Sequence, residues 1–152
     1  DLVAEQIAIA AGEGLRHAQS ALRIDGCAIE CRINAEDPTR DFAPSPGVVS
    51  EAQWPIAQHI RVDTHIESGA RVPPFYDSLL GKIIAHGPDR ATALARLRAG
   101  IAATRLEGVA TNLCLHADVL TERAFAAGGV DTGYLGRRFK QPYAQVAAAN
   151  DG

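Results

Sequence analysis

Two stretches of the chain alternate between apolar and polar positions, and each predicts a β-strand with one buried face. In "AIECRINAED", residues 28–37, Ile29, Cys31, Ile33 and Ala35 fall on one side and Glu30, Arg32 and Asn34 on the other, because side chains two apart share a strand face. In "HIRVDTHIES", residues 59–68, Ile60, Val62, Thr64 and Ile66 oppose Arg61, Asp63 and His65. A shorter apolar pair, Leu22 and Ile24 in "ALRI", predicts an edge strand that turns at Asp25-Gly26 into the strand carrying Arg32. The run Leu79 to Ala85 is apolar enough for a buried strand or part of a helix, and pattern alone leaves both open. Between these, residues 38–55 are dense in proline and glycine and predict an ordered loop, with only "GVVSEAQ" suited to a strand.

Helical spacing appears at the start and in the second half. "DLVAEQIAIAA" predicts a first helix stopping at Gly12. "PDRATALARLRAGIAATRLEG" places Leu94, Leu97 and Ile101 on one face, with Pro88 and Asp89 at its start and Gly108 at its stop. "ATNLCLHADVLTERAFAAGG" repeats the form, with Thr111 or Asn112 as N-cap and Gly128 beyond its end, and "TGYLGRRF" suits one last helical turn. Strands gathered early and helices late predict the α+β class: a small antiparallel sheet from the first half, packed with helices from the N-terminus and the second half. One domain over residues 1–140 is expected, followed by a flexible tail over 141–152 that is small, polar and alanine-rich.

Composition narrows the function classes. At 152 residues and 47% hydrophobic content the chain can build a single core. A formal net charge of −3, with no basic run, argues against nucleic acid or an anionic membrane as partner. There is neither a membrane-length apolar run nor a signal-peptide pattern, so a cytoplasmic location is expected. Cys27, Cys31 and Cys114 are an odd set; the first two share a strand face but lie too far apart along it for a disulfide, and all three read as reduced thiols. The chain starts at Asp1 and contains no methionine, which suggests a piece of something longer.

No self-contained active site emerges. "GGVDTG" lacks the strand-to-helix context of a phosphate loop, and Ser45, Ser68 and Ser78 sit in no nucleophile elbow. His17, His59, His65, His86 and His116 show no metal-ligand spacing with the cysteines, so no metal site is expected. Arg32 is left as the residue of interest. On an exposed strand face beside Glu30 its ordinary role is an ion pair, and a fixed guanidinium is also the group that stabilises developing negative charge.

The blocks "AIECRINAEDP", "FAPSPG", "IRVDTHIESGARVPPFYDSLLGKIIAHGPDR", "LEGVATN" and "FAAGGVDTGYL" follow in an order and spacing that resembles the C-terminal domain of biotin carboxylase, from Asp1 to about Arg138. That enzyme belongs to the biotin-dependent acyl-CoA and pyruvate carboxylases, among them the acetyl-CoA carboxylase of fatty acid metabolism. The resemblance implies that Arg32 faces biotin and stabilises its ureido oxygen as N1′ loses a proton, with Glu30 and Asn34 as neighbours in the biotin site. It places Thr132 against the adenine ring, where the family usually has an aliphatic residue, and Gln58 and Arg61 at a dimer interface. Asp77 also matches a family motif, and equally suits a turn. The turn reading "PIAQH" before Arg61 departs from the family's glycine-rich one and puts that dimer in doubt.

The implied substrates are ATP, bicarbonate and biotin borne on a biotin carboxyl carrier protein, with a carboxyltransferase downstream. ATP and Mg²⁺ would be held mainly by an ATP-grasp portion upstream of Asp1, so the isolated chain is expected to be inactive. The alternative is a non-catalytic assembly module of a carboxylase complex.

Overall fold

The computed structural model describes residues 1–138. The chain opens with helix α1 (Leu2–Ala10), whose Asp1 side chain accepts from the Ala4 N–H at 3.0 Å, and which has no buried residue. A 3₁₀ turn at Gln19–Ala21 leads to strand β1 (Cys27–Asn34). The proline-rich segment folds into short pieces: β2 (Glu36–Asp37), a 3₁₀ turn at Pro38–Arg40, β3 (Ala43–Pro44), β4 (Gly47–Val48) and β5 (Glu51–Gln53). Then come β6 (Ile60–Thr64), β7 (Arg71–Val72) and β8 (Leu79–Gly87). Helix α2 (Arg90–Ala102), strand β9 (Arg105–Glu107), helices α3 (Leu113–Thr121) and α4 (Arg123–Ala127) and the turn α5 (Tyr134–Arg138) complete the fold. The expected tail over 141–152 lies outside the described residues.

The main sheet has the order β1-β8-β6, antiparallel throughout, with β8 in the middle. Leu79 to Ala85 is therefore strand, and centrality explains its composition: a strand paired on both edges and covered on one face is buried along most of its length. The inner face contributes Cys31, Ile33, Ile83 and Ala85, against which α2 lays Leu94, Leu97 and Ile101 and α3 lays Leu120. A second cluster gathers Ala35, Val49, Ile66, Val72 and Leu80 under the short strands, pinned by Trp54, whose indole N–H donates to the Ile66 carbonyl at 3.0 Å. This is the α+β arrangement expected, with helices α2 and α3 packed on one face of an antiparallel sheet. Helix α1 departs from it: Leu2, Val3 and Ile7 are all exposed, so this helix does not help to cover the sheet.

Three local expectations fail for identifiable reasons. "ALRI" forms no strand. Gly26, at φ +73°, sits against the Gly87 carbonyl, and the Asp25 carbonyl is hydrogen-bonded by His86 Nε2 at 2.8 Å, so the chain enters over the end of β8 and leaves Ile24 fully exposed. The helix expected to run to Gly108 stops at Ala102. Thr104 Oγ1 donates to the Gly100 carbonyl at 2.8 Å, and Arg105–Glu107 extends to pair with β5. Gly108 ends this strand instead, at φ +93° and too close to the Val48 carbonyl for any Cβ. Finally, the helix from Asn112 to Ala127 breaks at Glu122, whose extended backbone separates α3 from α4.

Candidate functional site

Strand β1 carries the residues singled out from sequence, and its alternation is as expected. Ile33 and Cys31 are buried, while Glu30 and Arg32 are exposed. Register places Arg32 directly opposite Lys82 of β8, and Lys82 opposite Asp63 of β6. Two cations side by side on a sheet face are unfavourable, and here the offsetting acid stands beyond the lysine. Asp63 is engaged by Arg61, which donates to it from Nε at 2.7 Å and from an Nη at 2.8 Å. That bond, and to a smaller degree the charges of Arg61 and Lys82, holds the Asp63 carboxyl below the usual carboxylate range.

Arg32 makes no ion pair and its guanidinium no hydrogen bond among the described residues. The ion pair with Glu30 that would have been its ordinary role does not form. Glu30 is instead among the residues that line a cavity of about 270 Å³. Leu115, Val119, Phe125 and Val130 give that cavity apolar walls, and its polar lining includes Glu30, His116, Asp131, Thr132 and Tyr134. Structure thus brings Glu30 and Thr132 to one cavity, although they lie on opposite sides of the fold in sequence. Thr132 reaches it on the loop before α5, a segment tethered by Arg90, which donates to the Phe125 and Ala126 carbonyls at the end of α4.

Asn34 does not touch the Arg32 guanidinium either. Its Nδ2 donates to Glu36 at 3.2 Å, Glu36 also accepts from Ser78 at 2.5 Å, and its Oδ1 is buried with no partner among the described residues. What does hold the strand was not visible in the local pattern. Asn112, at the start of α3 and 7% exposed, accepts from the Asn34 N–H at 2.9 Å and donates from Nδ2 to the Arg32 carbonyl at 3.1 Å. His116, one turn on, lies with Nε2 2.9 Å from the same carbonyl. Of the two N-cap residues expected, Thr111 or Asn112, it is Asn112 that occupies the position, and its side chain makes no capping bond to its own helix.

Gln58 and Arg61 lie away from this edge, at and just after the turn into β6. Arg61 is exposed and shares the outer sheet face with Arg32, but its guanidinium is taken by Asp63 of its own strand. The turn's departure from glycine is felt at His59, which is forced to φ +66°. Asp77 behaves as a turn acid, accepting from the Leu79 N–H at 3.0 Å. Among the described residues no group of three or more His, Cys, Asp or Glu could hold a metal ion, and no helix is long and apolar enough to cross a membrane.

The sequence profile of the biotin carboxylase C-terminal domain matches residues 30–137, a span that starts within β1 and ends within α5 and takes in the rest of the sheet, the cavity and α2 to α4. The chain belongs to the biotin carboxylase C-terminal domain family. It is 47% identical over 135 residues to the biotin carboxylase of Allochromatium vinosum, a match covering 89% of this chain and 30% of that protein. Among solved structures it is similar to the biotin carboxylase subunit of a pyruvate carboxylase, with a TM-score of 0.89 and 40% identity over 92% of this chain and 31% of the other. It is similar also to the biotin carboxylase domain dimer of Hydrogenobacter thermophilus 2-oxoglutarate carboxylase, solved with MgADP, ADP and bicarbonate, with a TM-score of 0.87 and 39% identity over 90% and 30% of the two chains. The chain thus spans about a third of the length of the biotin carboxylases it matches.

Proposed function

We propose that this chain is the C-terminal part of a biotin carboxylase, acting in the ATP- and bicarbonate-dependent carboxylation of biotin on a carrier protein, and that Arg32 is its main contribution to the biotin site. The observation that carries this reading is the guanidinium itself: a permanent charge on a rigid strand, opposite a second cation, with no acid of the described chain to neutralise it. A group paid for in this way by the sheet suits an anion supplied from outside. As biotin N1′ loses its proton, negative charge grows on the ureido oxygen, and a planar fixed donor lowers the cost of that charge without having to reorganise. Glu30 and Asn34 border the site as its neighbours on β1.

Thr132 and the cavity that it lines are assigned to the adenine side. The apolar walls suit a flat base, while no residue described here suits the phosphates or Mg²⁺; those fall to the ATP-grasp portion upstream, and the chain by itself is inactive. The carboxyltransferase is the next partner, and the acceptor is an acyl-CoA or a keto acid. Whether the face bearing Gln58 and Arg61, with its altered turn before β6, pairs two copies as in the dimeric structure named above is read from the oligomeric state in solution.

The test mixes this chain with a separately made ATP-grasp portion and follows ADP formation from ATP with bicarbonate and free biotin. Biotin-dependent turnover is expected, and Arg32→Ala is expected to remove most of it while ATP binding stays within about two-fold. A folded, associated mixture that turns over equally well with Arg32→Ala would leave the chain as an assembly module without chemistry.

A further inference from the structure

Strand β1 has β8 along one edge only, and the carbonyl and N–H groups of its other edge need partners. At the level of Arg32 and Asn34 those partners come from the first turn of α3. Asn112 spans the two residues with its amide, donating to the Arg32 carbonyl and accepting from the Asn34 N–H, and its own backbone N–H donates to the Asn34 carbonyl at 3.3 Å. His116 brings a second nitrogen, Nε2 of its ring, to the Arg32 carbonyl; since a carbonyl only accepts, Nε2 carries the proton. Burial favours the neutral imidazole in which that tautomer persists, and the hydrogen bond to Arg32 opposes the shift only in part. Both lone pairs of one carbonyl are thus engaged, and it is the carbonyl of the residue with the unpaired guanidinium.

From this geometry we infer that Asn112 and His116 are positioning residues for Arg32: they fix the peptide planes on either side of the residue after it and so the direction in which the Arg32 side chain leaves the strand. The inference rests on the assignment of Arg32 to the biotin site and deepens it. An arginine reaches its target through a long flexible stem, so a small rotation at its own backbone becomes a displacement of the guanidinium large enough to matter to a preorganised site. The bonds are side chain to backbone, so nothing about them depends on which residue occupies position 32.

The experiment is a double-mutant cycle in the enzyme assembled with its ATP-grasp portion, reading kcat for biotin carboxylation, KM for ATP and the thermal midpoint. Asn112→Ala is expected to lower kcat roughly ten- to hundred-fold with KM for ATP unchanged. Asn112→Asp keeps the acceptor for Asn34 but sets a carboxylate oxygen against the Arg32 carbonyl; His116→Phe removes one donor and keeps a ring in the cavity. These two are expected to lower kcat in the same sense, and they carry the test if Asn112→Ala fails to fold. Each loss should vanish in the Arg32→Ala background, because a residue that works through Arg32 has nothing left to position. If Arg32→Ala lowers kcat but the clamp variants leave it at the wild-type value, or depress the Arg32→Ala enzyme by the same factor as the wild type, the positioning role is overturned and Arg32 keeps its assignment. If Arg32→Ala itself leaves kcat unchanged, the assignment falls and the positioning role falls with it.

Discussion

At the scale of single residues, the fold puts chemically similar groups into opposite environments. Cys31 is 4% exposed, and burial, helped by the neighbouring Glu30 charge, pushes its thiol up to about 12, whereas Cys114 is exposed on α3. At pH 8, iodoacetamide is expected to modify Cys114 while Cys31 reacts only as the chain unfolds; mass spectrometry of timed quenches checks this, and equal rates would show that β1 is not seated. His116 gives a second prediction. Its folded-state value lies below the ordinary 6.5, so the protein binds fewer protons there than the unfolded chain. The neutral form's contribution is complete above 6.5 and is lost as pH falls through the lower folded value. Urea melts at pH 7.5 and pH 5 should therefore show the wild type losing stability relative to His116→Gln. Glu30, Asp131 and Tyr134 share its cavity, and the subtraction between the two proteins removes contributions that do not pass through His116.

At the scale of elements, α2 is the piece that joins sheet to helices, and Leu97, with no exposed surface, sits in its middle. Leu97→Ala is expected to cost about 2–5 kcal/mol, read as a lower urea midpoint with an unchanged slope. The start of this helix was legible, since Asp89 does accept from the Thr92 N–H, at 2.7 Å, and is held below the usual carboxylate range by it. Its end was not. Arg105, Leu106 and Glu107 are good helix formers, and only pairing with β5, with Leu106 packed between the two core clusters, draws them into a strand. The face of β1 was plain from alternation because that pattern is local. The clamp on its edge joins Asn34 to Asn112 and Arg32 to His116 across most of the fold, and no window of sequence contains both ends.

At the scale of the molecule, apolar surface is unevenly covered. Leu2, Val3 and Ile7 of α1, with Leu15 and Ile24 after it, remain open to solvent while the sheet and α2 are well packed. If the ATP-grasp portion completes the enzyme as proposed, this is the surface for it to cover. Hydrogen exchange in α1 should slow when that portion is added, while the amides of β8 keep the rate they have in the isolated chain. The strand order also sets a sequence of events in time. Strands β6 and β8 are near neighbours along the chain and can pair soon after both exist, but β1, made earlier than either, has to wait for β8, and its outer edge stays bare until Asn112 has been synthesised. Of the three strands of this sheet, the one bearing Arg32 is therefore the first to be made and the last to be secured, and a pause in translation between Gly87 and Asn112 would leave it paired on one side alone.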